Sequence, residues 1–335
     1  MRVASLKAFG VENLTIEERA MPSCGPSQAL VRVRAVTLNY RDLLMVRGEY
    51  DPKQRLPLVP CSDALGEVVE VGSEVADLAV GDRVCPIFAR GWLAGPPTRE
   101  TPRSALGGPG DGTLAEYIVA DAKNLVRPPA HLSDTGAASL ACAGVTAWRA
   151  LFEEGNLVPG QTVLVLGTGG VSLFALQFAK LVGARVIATS RSPEKLERAL
   201  ALGADHGIDL SSDVRFGLRV RELTADAGAD HVIEVGGAGT LAESLRAVRA
   251  GGTISLIGVL SGSGPQPSLV PAVMRNIRLQ GVLVGPRASF VAMNRAIEHA
   301  RLEPVVDQTF PFADVQAAFD HLESGKHFGK VGIVF

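Results

Sequence analysis

The run from Thr162 to Val171 has the composition of a buried strand that ends in a glycine turn and opens a helix. The helical pattern continues through Phe174, Ala175, Leu176, Phe178, Ala179 and Leu181. Glycine lets a backbone approach a pyrophosphate closely, and a helix N-terminus adds N–H donors and a partial positive charge. The pattern therefore reads as a dinucleotide site, with Gly169, Gly170 and Val171 offering N–H groups to the pyrophosphate. Ser172 stands at the third glycine position and is small enough for close packing of helix on strand. A second strand, Arg185–Ser190, follows. Where an NAD site carries Asp or Glu for the ribose hydroxyls, this chain has Ser190 and Arg191. A carboxylate there repels a 2′-phosphate, whereas a hydroxyl and a guanidinium hold one. With Lys195 one turn into the next helix, the expected cofactor is NADP(H). Arg191 also has a plain structural reading, since Ser192 and Pro193 form an ordinary helix start beside it.

The elements that must position these residues alternate. Strand candidates are Val163–Leu166, Val186–Ser190, His231–Val235, Thr253–Val259 and Leu279–Val284, with helices such as Glu194–Leu202 and Leu241–Val248 between them. Apolar strands alternating with helices predict an α/β fold, a doubly wound parallel sheet covered on both faces. The first part of the chain is different. Val31–Val36, Gly66–Gly72, Gly81–Val84 and Ala115–Ala120 read as short strands between Gly, Pro and Asp turns, the signature of a small barrel-like domain. Gly91–Gly112 is dense in Gly and Pro and reads as a surface excursion, a candidate mobile lid. The last stretch, with a helix near Val315–Leu322 and a strand at Val331–Phe335, is expected to return to the first domain. The predicted division is 1–130 with 290–335 for the discontinuous barrel-like domain, and 131–289 for the dinucleotide domain.

A chain of 335 residues favours two domains, and 47% apolar residues suffice for sizeable cores. A net charge of −2 argues against a nucleic-acid surface, and no basic run marks a membrane patch. No apolar stretch approaches a membrane span, and the N-terminus alternates like a strand without a signal-peptide core. Cys24, Cys61, Cys85 and Cys142 form no CxxC pair, which argues against a disulfide scaffold or a zinc ribbon. The expectation is a soluble cytoplasmic enzyme.

With these motifs placed, the chain resembles the medium-chain dehydrogenase/reductase superfamily over essentially its whole length. The resemblance rests on Leu38–Asp42, Val59–Asp63, Gly66–Gly72, Gly81–Val84, Gly112–Tyr117, Cys142–Ala147, the nucleotide turn, Leu202–Asp205 and Ser324–Lys330. It implies a GroES-like β-barrel catalytic domain beside a Rossmann domain, an active-site cleft between them, and a homodimer or tetramer joined at an edge strand near Thr253–Val259. Zinc-dependent relatives bind catalytic zinc through Cys, His and Cys at positions that here hold Asn39, Ser62 and Cys142. Asn39 and Ser62 are poor zinc donors, and a catalytic zinc needs three good ones. Asp63 stands where those relatives carry Glu, and one carboxylate does not replace the missing ligands. Of the four-cysteine structural zinc lobe, which belongs near 85–112, only Cys85 is present. No metal is expected, and the pattern is similar to the zinc-independent quinone oxidoreductase branch.

In that branch an Asn and a Tyr line the substrate end of the cleft. These positions fall on Asn39 and Tyr50, with Tyr40 a further candidate. Without a metal, negative charge developing on a carbonyl or quinone oxygen is best met by preorganised neutral donors. Tyr50, Asn39 and Ser62 are the expected catalytic donors. Each also has a plain reading: Tyr50 as a cover over the apolar Leu56, Leu58 and Val59, Asn39 as a helix cap, and Ser62 as the residue that satisfies a turn. The resemblance and the strand ends together place Thr146, Ile257, Gly258, Val259, Val284 and Gly285 at the nicotinamide and its ribose, and Phe328 and Lys330 over the cofactor. Cys61 lies next to Ser62 without an evident role. The expected activity is NADPH-dependent hydride transfer to a quinone or an α,β-unsaturated carbonyl. A metal-free alcohol dehydrogenase or carbonyl reductase is the enzymatic alternative, and an NADPH-binding structural or redox-sensing module the non-enzymatic one.

Overall fold

The structure is a computed structural model and describes residues 1–212, 214–258 and 267–335. The chain falls into two units, Met1–Val145 with Gly285–Phe335, and Thr146–Val284. Among the described residues, no helix is long and apolar enough to cross a membrane.

The first unit begins with an antiparallel ribbon, β1 (Arg2–Leu6) on β2 (Leu14–Glu18). The long β3 (Gln28–Leu38) leads through Asn39 into a short helix, α1 (Tyr40–Val46). Then come β4 (Asp63–Val71), β5 (Arg83–Pro86), β6 (Tyr117–Asp121), β7 (Leu125–Val126) and α2 (Asp134–Ala138). β3 pairs antiparallel with both β4 and β6. Its N-terminal and C-terminal parts feed two cores. Ala29 and Val31 pack with Val68, Val84 and Leu125, while Val33, Val36 and Leu38 pack with Leu43, Ala64 and Leu114. α2 packs on β3 and β4, and Leu140–Gly144 packs on β4. Helical periodicity thus begins inside the first unit, and the boundary lies at Val145 rather than at 130.

The division falls after the first residue of α3 (Val145–Trp148), and the second unit continues as β8 (Thr162–Val165), α4 (Gly170–Leu181), β9 (Arg185–Ser190), α5 (Pro193–Ala201), β10 (His206–Asp209) and α6 (Phe216–Leu223). It ends with β11 (Ala229–Glu234), α7 (Leu241–Ala247), β12 (Val248–Leu256), α8 (Val270–Met274) and β13 (Arg278–Gly281). The strands are parallel in the order β10-β9-β8-β11-β12-β13. The order reverses between β8 and β11, and doubly wound sheets bind ligands at the carboxyl ends of the strands flanking such a switch point. β12, which carries the predicted edge at Thr253, is an inner strand because β13 pairs along it, and among the described residues the edge is β13.

The chain then returns to the first unit through α9 (Arg287–Ala300), β14 (Val306–Pro311), α10 (Val315–Glu323) and β15 (Lys330–Val334). β15 pairs antiparallel with β3, which places β3 between β15 and β4. α9 starts two residues into the returning segment, and its first N–H groups donate to Trp92 and Leu93 carbonyls. The excursion after Gly91 is accordingly mixed. Leu93–Glu100 is exposed, while its returning limb, including Ala105 and Gly107, is buried.

Candidate functional site

Three strands of the first unit bring one polar cluster together at one end of the sheet. Thr37 and Asp63 are register partners on β3 and β4. On the other side of β3, the pairing of Val331 with Leu38 places Lys330 beside Asn39. The side chains use this alignment. Lys330 Nζ donates to Asn39 Oδ1 at 2.6 Å and to Asp63 Oδ2 at 3.0 Å. Thr37 Oγ1 donates to the same carboxylate oxygen at 3.0 Å. Asp63 is fully buried and Lys330 is 3% exposed. A buried charge of this kind persists only when paired and hydrogen-bonded.

The cluster is incompletely satisfied. Asn39 Nδ2, Ser62 Oγ and Asp63 Oδ1 are buried without a hydrogen-bond partner. Asn39 caps α1, with its backbone N–H donating to Asp42 Oδ2 at 2.9 Å. Its helix-cap reading and its site reading therefore coexist, the first through the backbone and the second through the amide. Asp42 is fully buried, and that burial pushes its carboxyl up to about 6 against the opposing pull of Arg41.

The loop that presents Ser62 is held tightly. Cys61 has φ 73, a left-handed conformation unusual for a residue with a side chain. A Cβ on Gly112 would sit 1.9 Å from the Cys61 carbonyl oxygen, so only glycine fits there. Thr113 then ties the loop down, its N–H donating to Cys61 O at 3.1 Å and its hydroxyl to Asp63 O at 2.9 Å. Burial pushes the Cys61 thiol well up, so it stays protonated, and the residue serves as a packed corner.

Tyr50 has contacts of its own. It is 48% exposed, and its ring stacks on the Arg41 guanidinium at 5.1 Å, with Phe88 at the same distance from that guanidinium. Arg41 also donates to the carbonyls of Leu106 and Gly108, at 2.8 and 3.0 Å. The partner of Tyr50 is thus this arginine stack, between α1 and the returning limb of the excursion.

In the second unit the site is made of backbone. Gly167 takes φ 69 and donates its N–H to Thr189 Oγ1 at 3.1 Å. Gly169 precedes α4 without a side-chain cap, and the first turn of α4 carries no acidic residue. A Cβ on Gly167 or Gly169 would meet nothing within 4 Å, so the turn leaves an open face over uncapped helix donors. That arrangement fits a pyrophosphate. Ser172 explains its place at the third glycine position, because its buried hydroxyl donates to Leu166 O at 2.7 Å and bolts the helix to the strand. At the end of β9, Ser190 is buried and accepts the Ser192 N–H at 3.0 Å, while Arg191 is exposed. Ser192 caps α5 by accepting the Lys195 N–H at 3.3 Å.

Thr146, Val284 and Gly285 are buried, and Phe328 is buried in the first unit. Ile257 and Gly258 follow β12, their N–H groups donating to Glu234 O at 2.9 and 3.3 Å. Val259 lies outside the described residues. The resemblance places Lys330 over the cofactor, whereas in the structure its ammonium donates to Asn39 and Asp63. The sequence also passed over Glu234. This fully buried carboxylate accepts from Gly236 N, Gly237 N, Thr240 Oγ1 and Ser244 Oγ, closing the loop after β11. A charged residue ending an apolar strand beside a glycine pair was the available signal.

Residues 25–130 match the alcohol dehydrogenase GroES-like domain, and residues 170–299 match the zinc-binding dehydrogenase family. A zinc-type alcohol dehydrogenase-like protein of Schizosaccharomyces pombe is 42% identical over 329 residues, covering 96% of this chain and 95% of that protein. The chain belongs to the medium-chain dehydrogenase/reductase superfamily. A quinone oxidoreductase-like protein 2 homolog of Nematostella vectensis is 32% identical over 333 residues, covering 96% of this chain and 85% of that protein. Among solved structures, a putative alcohol dehydrogenase from Sinorhizobium meliloti superposes with a TM-score of 0.93 at 43% identity, over 100% of this chain and 98% of that one.

Membership makes this chain an oxidoreductase of the alcohol dehydrogenase type, with a GroES-like domain and a Rossmann domain. It also raises zinc, and the residues do not fit that metal. Asn39 offers an amide oxygen already taken by an ammonium, and Ser62 a neutral hydroxyl. Burial, with Asp63 next, pushes the Cys142 thiol up to about 12. Among the described residues, no group of three or more His, Cys, Asp or Glu side chains is arranged to hold a metal ion.

Proposed function

We propose that this medium-chain dehydrogenase/reductase is a zinc-independent, NADPH-dependent enzyme that reduces a quinone or an α,β-unsaturated carbonyl. The observation that carries the reading is the Asn39 amide, whose oxygen is held by Lys330 and whose Nδ2 is a buried donor without a partner. Such a donor matches the negative charge that grows on an acceptor oxygen. The bound nicotinamide supplies the hydride. In an enone the hydride adds to the β-carbon, the electron pair moves to oxygen as an enolate, and Asn39 and Ser62 donate hydrogen bonds to that oxygen. A proton from Tyr50, resupplied by solvent, or from solvent directly completes the saturated ketone. A quinone takes the hydride and one proton to become a hydroquinone.

For the cofactor, the open glycine turn before α4 receives the pyrophosphate, and exposed Arg191 beside Ser190 and Lys195 receives the 2′-phosphate. The absence of a carboxylate at the end of β9 favours the phosphorylated cofactor. The site residues proposed around the nicotinamide are Thr146, Ile257, Gly258, Val284, Gly285 and Phe328. We further propose a cytoplasmic homodimer joined along β13. Its support is the far edge of that strand, which no strand among the described residues pairs, and the exposed Val270, Val273 and Met274 of α8, which precedes it.

The second reading is a metal-free alcohol dehydrogenase or carbonyl reductase, and its support is the alcohol dehydrogenase likeness of the Schizosaccharomyces and Sinorhizobium relatives. The test is NADPH consumption with a simple 2-enone and identification of the product by NMR. A saturated ketone supports enone reduction and an allylic alcohol supports the carbonyl-reductase reading. Absence of turnover with enones, quinones and ketones, with NADPH still bound, overturns both.

A further inference from the structure

The contact between Lys330 and Asn39 settles which way the amide points. A lysine ammonium has three donors and no acceptor, so the atom 2.6 Å from it is the amide oxygen. Nδ2 is thereby turned away from the lysine with both hydrogens unspent, buried and unpartnered. The lysine cannot drift, because Asp63 Oδ2 holds it at 3.0 Å and Thr37 holds that oxygen from β3. The cluster is thus a chain, Thr37 to Asp63 to Lys330 to Asn39, assembled by β4, β3 and β15. Its free end is an N–H donor rather than a carbonyl acceptor. The ammonium also withdraws electron density from the amide, which strengthens the N–H as a donor.

The geometry points to Lys330 as the positioning residue for the reaction: it fixes the Asn39 amide with Nδ2 toward the acceptor oxygen, while Asp63 and Thr37 anchor its ammonium. Lys330 belongs to the returning segment, 291 positions from Asn39. This assignment rests on Asn39 being the donor to the acceptor oxygen. It moves Lys330 from the cofactor, where the sequence placed it, to the orientation of an acceptor-side group. The cation is thereby built into the protein behind the donor, with the amide Cγ and Oδ1 between Nδ2 and the Lys330 ammonium.

The test uses the full-length enzyme with an enone, NADPH and four variants, reading kcat, KM for the acceptor, and NADPH affinity by fluorescence. Asn39→Ala is expected to lower kcat about 100-fold, the cost of removing one such donor. Lys330→Arg keeps a donor-only cation, so kcat is expected to stay within about tenfold of the parent. Lys330→Gln offers both a donor and an acceptor to the amide and releases its orientation, so kcat is expected to fall nearly as far as in Asn39→Ala. NADPH affinity should stay unchanged in all of these. The double variant Lys330→Met with Asp63→Asn removes both charges at once and keeps the experiment informative if Lys330→Gln is poorly folded; its kcat should fall as in Lys330→Gln. An Asn39→Ala enzyme with parental kcat overturns the donor reading itself. A slow Asn39→Ala beside a fast Lys330→Gln or double variant overturns the positioning role alone. A loss of NADPH affinity confined to the Lys330 variants assigns the lysine to the cofactor instead.

Discussion

The two units build their sites from opposite materials. In the second, the nucleotide turn is backbone: Gly167, Gly169 and the uncapped start of α4, with side chains only bracing it from behind. In the first, the polar cluster is all side chain, drawn from Thr37, Asn39, Asp63 and Lys330 across three strands. A backbone site tolerates change in the residues around it as long as glycine keeps the path open. A side-chain site with buried charges tolerates very little, because removing one charged member leaves its buried partner without a counter-charge.

That contrast can be broken most forcefully at Lys330. Lys330→Met alone leaves Asp63 buried and unpaired, and urea unfolding is expected to show a loss of about 3–5 kcal/mol. Adding Asp63→Asn should restore most of it. If the single variant unfolds like the parent, the cluster is not the rigid element its burial implies.

Asp42 sharpens the same point through pH. Its native carboxyl titrates at about 6 against an ordinary 3.8, so the folded protein keeps a proton that the unfolded chain releases in between. This favours the native state below about 3.8, and the advantage disappears as pH rises through 6, a difference of about 3 kcal/mol. The melting temperature of the parent relative to Asp42→Asn should therefore fall between pH 4 and 6.5. A constant difference over that range would show that Asp42 is not held in an apolar setting. Glu17 provides the opposite sign. The Lys7 hydrogen bond draws it down to about 2, so its contribution is present above 4.5 and is lost as pH falls through 2.

On the backbone side the expected effects are smaller. Arg191→Ala should weaken NADPH about tenfold or somewhat more, the worth of one hydrogen-bonded charge, and leave NADH unchanged. Equal losses for both cofactors would return Arg191 to its plain structural role. Ser172→Ala should cost only about 1 kcal/mol in thermal or urea unfolding, since one neutral hydrogen bond to Leu166 O is lost. A much larger loss, or a loss of cofactor affinity, would make Ser172 part of the binding surface.

The legibility of the two sites in the sequence follows their materials. The glycine turn, its strand and its helix occupy one contiguous stretch, so spacing alone displays them. The βα alternation is equally local, and β8, β9, β11, α5 and α7 lie within a few residues of their predicted spans. The domain boundary was less legible, because helical periodicity at 134–138 does not reveal that α2 packs on β3 and β4. Nor does apolar content distinguish the inner strand β12 from the edge β13. Resemblance to relatives brought out Asn39, Ser62 and Tyr50, but the arginine stack on Tyr50 and the four donors around Glu234 became visible only in the folded chain.

By itself the sequence determined two things: a parallel α/β unit in which a strand runs through a glycine turn into a helix, and a β-rich unit of short strands between Gly, Pro and Asp turns. Both are properties of periodicity and residue type, which are local. The tertiary structure alone decided that Lys330 meets Asn39 and Asp63. That meeting depends on which strands flank β3 and in what register, and a shift of one residue would turn Lys330 to the opposite face of the sheet.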